Sequence, residues 1–257
     1  MNRINLKIQD EKKLLSIYFT AGFPKLNDTV TIIQELEKNG VDMIEIGLPF
    51  SDPLADGPTI QESSTIAIEN GMTTSLLFEQ LKNIRESVQI PLIIMGYFNP
   101  MMQFGMEKFC QKCAEVGIDG LIIPDLPLFV YETEYKAIFE KYNLKNIFLI
   151  TPQTSNKRIQ QIDSISDSFI YMVSSAAVTG SQSGFGSEQM DYFKGIADLN
   201  LKNQQIVGFG IKDKTTFNQA TEFQKGAIIG SAFISFLKNN PISNIKEFIN
   251  KIKMLNS

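Results

Sequence analysis

The chain of 257 residues contains no histidine and no tryptophan, and it has only two cysteines. Without histidine, Ser–His–Asp and Cys–His catalysis are excluded, so any proton transfer must use carboxylates, tyrosine, lysine, cysteine or water. The cysteines, Cys110 and Cys113, are spaced C-x-x-C. Because a four-ligand zinc site would need further cysteines or histidines, we expect two small residues one turn apart on a helix, and no metal.

Long basic tracts and long apolar stretches are also missing. The formal net charge is −4, from 24 basic and 28 acidic residues, and no basic tract points to a nucleic-acid partner. No apolar stretch reaches the roughly 18 residues that cross a membrane. The first residues, "MNRINLKIQDEKKLL", are polar and lack the apolar centre of a secretory signal. We therefore expect a cytoplasmic protein that binds neither nucleic acid nor membrane.

Short apolar runs alternate with helical patterns along the whole chain. Continuous apolar runs are typical of parallel strands covered on both faces. Eight strand–helix units in about 250 residues favour a (β/α)₈ TIM barrel, here a single domain over 1–257, with a doubly wound open sheet as the alternative. The predicted strands are 14–22, 43–47, 91–97, 120–125, 146–151, 169–174, 205–210 and 226–231. The predicted helices are 28–40, 105–117, 130–143, 156–166, 187–200 and 243–255.

In a barrel, reactive groups belong at the carboxyl ends of the strands. Glu45 lies in "MIEIG" (43–47), where it shares one face with Met43 and Gly47 while its two isoleucine neighbours point the other way. Desolvation would raise the pKa of a carboxyl on the inward face, which suits a group that gives and takes a proton near neutral pH. The alternative is a buried glutamate paired with a structural lysine or arginine.

The loop 47–59, "GLPFSDPLADGPT", carries three prolines and two glycines, so it has few accessible conformations. It can therefore place a side chain accurately. Asp52 and Asp56 are the two candidates, and the alternative for both is a role in capping turns or the next helix.

The later strand ends favour a phosphate site. Gly208, Gly210 and Gly230 would let backbone N–H groups approach an anion, and Ser231 adds a hydroxyl at a helix start. The composition of the Ser- and Gly-rich stretch 174–188 is typical of a mobile lid and equally of a plain connector. These residues favour proton transfer coupled to C–C cleavage or isomerisation of a phosphorylated small molecule.

One long motif carries a family resemblance. "IEIGLPFSDPLADGPTIQ" (44–61) resembles the signature of the tryptophan synthase α subunit. Shorter matches, as well as the absence of tryptophan, are similar to the same family. These matches are "TAGFP" (20–24), "DGLIIPDLPL" (119–128), "VTG" (178–180), "GFGI" (208–211) and "GSA" (230–232).

The resemblance implies a (β/α)₈ barrel that cleaves indole-3-glycerol phosphate to indole and glyceraldehyde 3-phosphate by a retro-aldol reaction. It makes Glu45 the acid and base, Asp56 the acceptor for the indole N–H, and Tyr171 a tyrosine beside the substrate. It leaves Asp52 a structural or interface role. The implied phosphate-binding residues are Gly180, Gly210, Gly230 and Ser231. The implied indole-pocket residues are Tyr18, Ile60, Met95, Ile122 and Phe209.

The resemblance also implies an αββα complex in which pyridoxal phosphate belongs to the β subunit and this chain carries no cofactor. The segment "SSAAVTG" departs from the family, which commonly has arginine and glycine where this chain has Ser175 and Ala177. Two alternatives follow: another phosphate-binding barrel isomerase, or a non-catalytic partner that only activates a β subunit.

Overall fold

The computed structural model describes residues 1–54, 56–174 and 184–253. The strands are β1 (Leu14–Thr20), β2 (Met43–Gly47), β3 (Leu92–Met95), β4 (Gly120–Ile122), β5 (Lys145–Ile147), β6 (Leu149–Ile150), β7 (Ile170–Val173), β8 (Gln205–Gly208) and β9 (Gly226–Ile229). They lie parallel in the order β5-β4-β3-β2-β1-β9-β8-β7-β6. Because only one residue separates β5 from β6, the two ends of the sheet meet there, and the predicted barrel is confirmed.

The eight predicted strands become nine because the segment predicted as 146–151 is divided. Lys145–Ile147 pairs with β4, whereas Leu149–Ile150 pairs with β7. Phe148, between them, turns its ring onto Tyr131 with 5.2 Å between the ring centroids. Packing of this ring against the outer helices interrupts the ladder where the barrel closes.

The helices surround the barrel, and several of them were not predicted. The helices are α1 (Arg3–Ile8), α2 (Thr29–Lys38), α3 (Pro58–Glu69), α4 (Thr74–Leu81), α5 (Phe98–Phe104), α6 (Met106–Val116), α7 (Leu128–Val130), α8 (Lys136–Lys141), α9 (Asn156–Ile165), α10 (Ser187–Asp198), α11 (Lys214–Phe223), α12 (Ser231–Asn239) and α13 (Ile245–Lys253). A π-helical turn, Tyr131–Tyr135, joins α7 to α8.

The predicted helix ranges correspond to α2, α6, the segment of α7 and α8, α9, α10 and α13, and the helix start predicted at Ser231 is that of α12. No range was predicted for α1, α3, α4, α5 and α11. Helix α3 shows why, since it buries Ser63 and Ser64 beside Ile60 and so lacks a plain apolar stripe.

Two apolar cores lie on the two faces of the sheet. Met43 of β2 belongs to the core inside the barrel, whereas Ile44 and Ile46 belong to the core between strands and helices. The predicted alternation of β2 is therefore confirmed, and Glu45 faces inward. The helix α1 places Ile4 in the inner core, where this side chain helps to fill the barrel.

Cys110 and Cys113 are reduced and buried on α6 in the outer core, as the helical interpretation predicted. Burial raises the pKa of the Cys110 thiol to about 12, so this cysteine is a small packing residue rather than a nucleophile. Within the described ranges, every helix is too short or too polar to pass through a bilayer.

Candidate active site

A cavity of about 330 Å³ opens among the carboxyl ends of the strands. Its walls are mainly apolar and aromatic, with a few polar groups, which is the usual composition of a pocket for a small molecule. The position is the one at which barrel enzymes place their chemistry. Its lining consists of Tyr18, Leu48, Phe50, Pro53, Asp56, Ser64, Met95, Gly96, Tyr97, Pro124, Leu149, Thr151, Val173 and Phe209.

Glu45 is fully buried inside the barrel, opposite Tyr18 in the parallel register of β1 and β2. The Ser16 hydroxyl donates a hydrogen bond of 3.0 Å to Oε1 of Glu45, and Oε2 has no hydrogen-bond partner among the described residues. Burial raises the pKa of Glu45 to about 8, although the Ser16 hydrogen bond opposes that rise. Among the described residues Glu45 forms no ion pair, so the alternative of a structural lysine or arginine partner finds no support.

The Glu45 carboxyl lies beneath the cavity rather than in its wall. Ser16 pairs with Met43, one pleat closer to the amino end of the barrel than the pair of Tyr18 and Glu45. Because Glu45 bonds to Ser16, its carboxyl is bent back from the cavity, whereas Tyr18 lines it.

Asp56 lines the cavity and is held by Tyr97, whose hydroxyl donates to Oδ2 at 3.0 Å. The Tyr97 ring packs on Phe50, with 5.1 Å between the centroids. Burial raises the pKa of Asp56, and the Tyr97 hydrogen bond opposes that shift. The Gln61 side chain donates to the Asp56 carbonyl at 2.8 Å and so fastens the loop to α3. Asp52 is exposed and lies outside the cavity lining.

Two tyrosines stand inside the barrel near both carboxyls. Burial raises the pKa of Tyr18 and of Tyr171, and the negative charges of Glu45 and Asp56 add to both shifts. Each tyrosine therefore lies within the range at which the charges of Glu45 and Asp56 act on it. The Tyr171 ring meets Phe209 edge to face at 6.4 Å. Both tyrosines therefore hold their protons near neutral pH and can act as hydrogen-bond donors.

The turn after β8 is conformationally strained. Phe209 has a φ of 70°, which is rare for a residue with a side chain, and Gly210 follows at 76°. The Ser174 hydroxyl donates to the Phe209 carbonyl at 2.7 Å and stabilises this conformation. A Cβ at Gly210 would lie 3.0 Å from the Phe185 ring. Such strain is typical of a segment that is shaped for function.

Gly230 and Ser231 form the start of α12 directly after β9. The N–H groups of Phe233 and Ile234 both bond to the Gly230 carbonyl, which leaves the earlier amides of this first turn without an intrahelical acceptor. Such amides bind anions. Gly180, Ser175 and Ala177, also singled out in the sequence, lie outside the described residues.

Of the predicted indole-pocket residues, Tyr18, Met95 and Phe209 line the cavity. Ile122 packs in the inner core and Ile60 in the outer core, and neither is among the lining residues named above, so their place in the indole pocket stays a prediction. Sequence reasoning missed several lining residues. Tyr97 and Thr151 each ended a predicted strand and could have been found by reading the strand ends for polar groups, whereas Phe50 and Ser64 carried no such signal.

Comparison with known proteins gives one consistent family. Residues 4–256 match the family model described as tryptophan synthase alpha chain. The chain is 71% identical over 252 residues to the tryptophan synthase alpha chain of Flavobacterium psychrophilum, covering 98% of this chain and 100% of that one. It is 72% identical over 253 residues to that of Flavobacterium johnsoniae, with the same coverage. A crystal structure of tryptophan synthase subunit alpha from Legionella pneumophila is similar with a TM-score of 0.88, at 31% identity, covering 99% of this chain and 98% of that chain.

Proposed function

The chain belongs to the tryptophan synthase alpha chain family, and from this membership we propose that Glu45 and Asp56 divide its chemistry between them. The family catalyses the alpha reaction of tryptophan biosynthesis, the aldol-type cleavage of indole-3-glycerol phosphate to indole and glyceraldehyde 3-phosphate. The chain is accordingly a carbon–carbon lyase. The proposal concerns the side chains that carry the proton transfers.

Glu45 performs both proton transfers. With a pKa of about 8 it is mostly protonated at pH 7, and it rotates from Ser16 into the cavity to give its proton to C3 of the indole ring. The resulting carboxylate removes the proton of the C3′ hydroxyl. As the C3–C3′ bond breaks, its electron pair returns to the ring, and the hydroxyl carbon becomes the aldehyde. The observation that supports this role is a fully buried carboxyl directly under the cavity.

Asp56 stabilises the positive charge that develops when C3 is protonated. Its carboxylate accepts a hydrogen bond from the indole N–H, while the Tyr97 hydroxyl, which donates to Oδ2, keeps the carboxylate oriented. Tyr171 stands beside the reacting atoms as a hydrogen-bond donor. The walls formed by Tyr18, Met95 and Phe209 hold the indole ring.

The phosphate of the substrate binds at the turns after β8 and β9. Gly210, Gly230 and Ser231 supply backbone N–H groups and a hydroxyl, and Gly180 completes the set in this proposal. We further propose that residues 1–257 form one domain and that the chain works in the cytoplasm.

An alpha chain implies a beta-subunit partner. We propose that the complex is the αββα heterotetramer, that pyridoxal phosphate is bound by the β subunit, and that this chain needs no cofactor of its own. Three exposed apolar side chains on segments that follow the carboxyl ends of strands support docking there: Leu54 is 83% exposed, Phe129 73% and Met102 50%.

Indole release from indole-3-glycerol phosphate tests the role of Glu45. Glu45→Gln keeps the shape of the side chain but cannot transfer a proton, so we expect kcat to fall by about 10²- to 10⁴-fold. Glu86→Gln, a change in an exposed glutamate, is the matched control and should leave the rate unchanged. Turnover by Glu45→Gln at the rate of the unmodified chain would overturn the assignment.

Titration with a β subunit tests the docking surface. Leu54→Asp and Phe129→Asp should each weaken the complex, because burying a new charge opposes association. Leu6→Asp is the control, since Leu6 is an exposed leucine on α1, before the first strand. Equal affinities of all three variants for the β subunit would show that Leu54 and Phe129 are not part of the interface.

A further inference from the structure

Ser16 is a polar residue in the middle of an apolar region. It lies on β1, is 1% exposed, and pairs with Met43 on one side and Ile228 on the other. A buried hydroxyl without a partner is unfavourable, so its hydrogen-bond partner shows what it does. That partner is Oε1 of Glu45, at 3.0 Å.

The described residues give the Glu45 carboxyl one hydrogen-bond partner, Ser16, and leave Oε2 without one. The ionisable groups on which the Glu45 charge acts are Tyr18 from β1 and Tyr171 from β7, and Asp56 from the loop after β2 acts on the same two tyrosines. None of these three groups is a cation. Among the described residues, Ser16 is therefore the group that favours a negative charge on Glu45.

We propose that Ser16 is a positioning residue for Glu45, holding the resting carboxyl beneath the cavity and stabilising its ionised form there. The inference rests on the proposed role of Glu45 as acid and base. Because the carboxyl leaves Ser16 when it enters the cavity, Ser16 acts on the free enzyme and not on the substrate complex.

An effect of Ser16 on the free enzyme alone can be recognised from the kinetics. The pH dependence of kcat/KM reports the ionisation of the free enzyme, whereas that of kcat reports the substrate complex. Glu45 must start protonated, so its ionisation produces the alkaline limb. In Ser16→Ala the alkaline limb of kcat/KM should move up by about one pH unit, since the carboxylate loses its donor. The alkaline limb of kcat should stay where it is.

A direct titration separates the inference from the mechanism. In protein labelled with ¹³C at the glutamate carboxyls, the signal lost in Glu45→Gln identifies Glu45. Its pKa should rise in Ser16→Ala and in Ser16→Cys, which keeps only a weak donor. The pKa of Glu45 should be unchanged in Ser16→Thr, which keeps the hydroxyl. Ser166→Ala is the control, because Ser166 is also buried but its hydroxyl has no hydrogen-bond partner among the described residues.

The outcomes are distinct. An unchanged Glu45 titration in both Ser16→Ala and Ser16→Cys would overturn the role of Ser16, even if Glu45→Gln is inactive. A shifted titration with an unshifted kcat/KM profile would instead show that Glu45 is not the acid of the reaction. A shift in both, with an unmoved kcat limb, supports the inference.

Discussion

The Tyr171 hydroxyl occupies the space that a side chain at Gly208 would fill. A Cβ on Gly208 would lie 1.9 Å from Oη of Tyr171. The same relationship holds on the other side of the barrel, where a Cβ on Gly47 would lie 2.2 Å from Oη of Tyr18. Each tyrosine thus reaches the inner mouth of the barrel because the adjacent strand ends in glycine. Gly47 and Gly208 are therefore both strand residues and residues that make room for the tyrosines of the site.

We expect Gly208→Ala to disrupt the site and to destabilise the chain. The methyl group would force Tyr171 out of place, and such overpacking typically costs about 1–3 kcal/mol of unfolding free energy. The double variant Gly208→Ala with Tyr171→Leu should recover most of that loss, as measured by urea unfolding. Gly195→Ala is the control, because Gly195 faces open space on α10 and the change should be neutral or stabilising. Equal stability of Gly208→Ala and the unmodified chain would contradict this packing.

The rate of indole release should decline at alkaline pH. Because Glu45 must hold a proton for the first step, kcat/KM should fall about tenfold per pH unit above its pKa of about 8. Initial rates between about pH 6 and 10 at low substrate concentration measure this limb. A value of kcat/KM that stays constant across this range would show that the protonated form of Glu45 is not required.

Tyr97→Phe removes the hydroxyl that donates to Asp56. Hydrogen bonds to charged groups contribute about 1.5–3 kcal/mol, so kcat/KM should fall about ten- to a hundredfold. The pKa of Asp56 should rise further in this variant. Tyr192→Phe is the matched control, since the buried Tyr192 hydroxyl has no hydrogen-bond partner among the described residues. Indistinguishable rates for the two variants would exclude Tyr97 from positioning Asp56.

Glu45 should also make the stability of the chain depend on pH. The folded state holds this proton up to a pKa of about 8, whereas the ordinary value is 4.5. Between these values the folded state binds more protons than the unfolded state, so this contribution to stability is lost as the pH rises. Glu45→Gln lacks the effect and should gain stability relative to the unmodified chain, by at most about 1.4 kcal/mol per pH unit. Urea unfolding of both proteins at about pH 5 and pH 8 measures the difference. Parallel changes in the two would contradict a raised pKa.

Much of the architecture followed from local patterns. Continuous apolar runs predicted parallel strands, and alternation along β2 placed Glu45 inside the barrel. The loop with three prolines offered Asp56 as a candidate, and the resemblance separated it from Asp52. These predictions depended on side-chain periodicity and backbone restriction, which act between near neighbours in the chain.

The tertiary structure alone decided which side chains meet. Tyr97 reaches Asp56 across 41 residues and Ser16 reaches Glu45 across 29, because barrel closure and strand register bring separate strand ends together. Packing likewise decides three local features. They are the backward bend of the Glu45 carboxyl, the left-handed backbone conformation of Phe209 and the interruption of the strand at Phe148. Local sequence determined which faces are buried. Register and closure determined the distances within the site, since a distance between strands depends on residues remote from both partners.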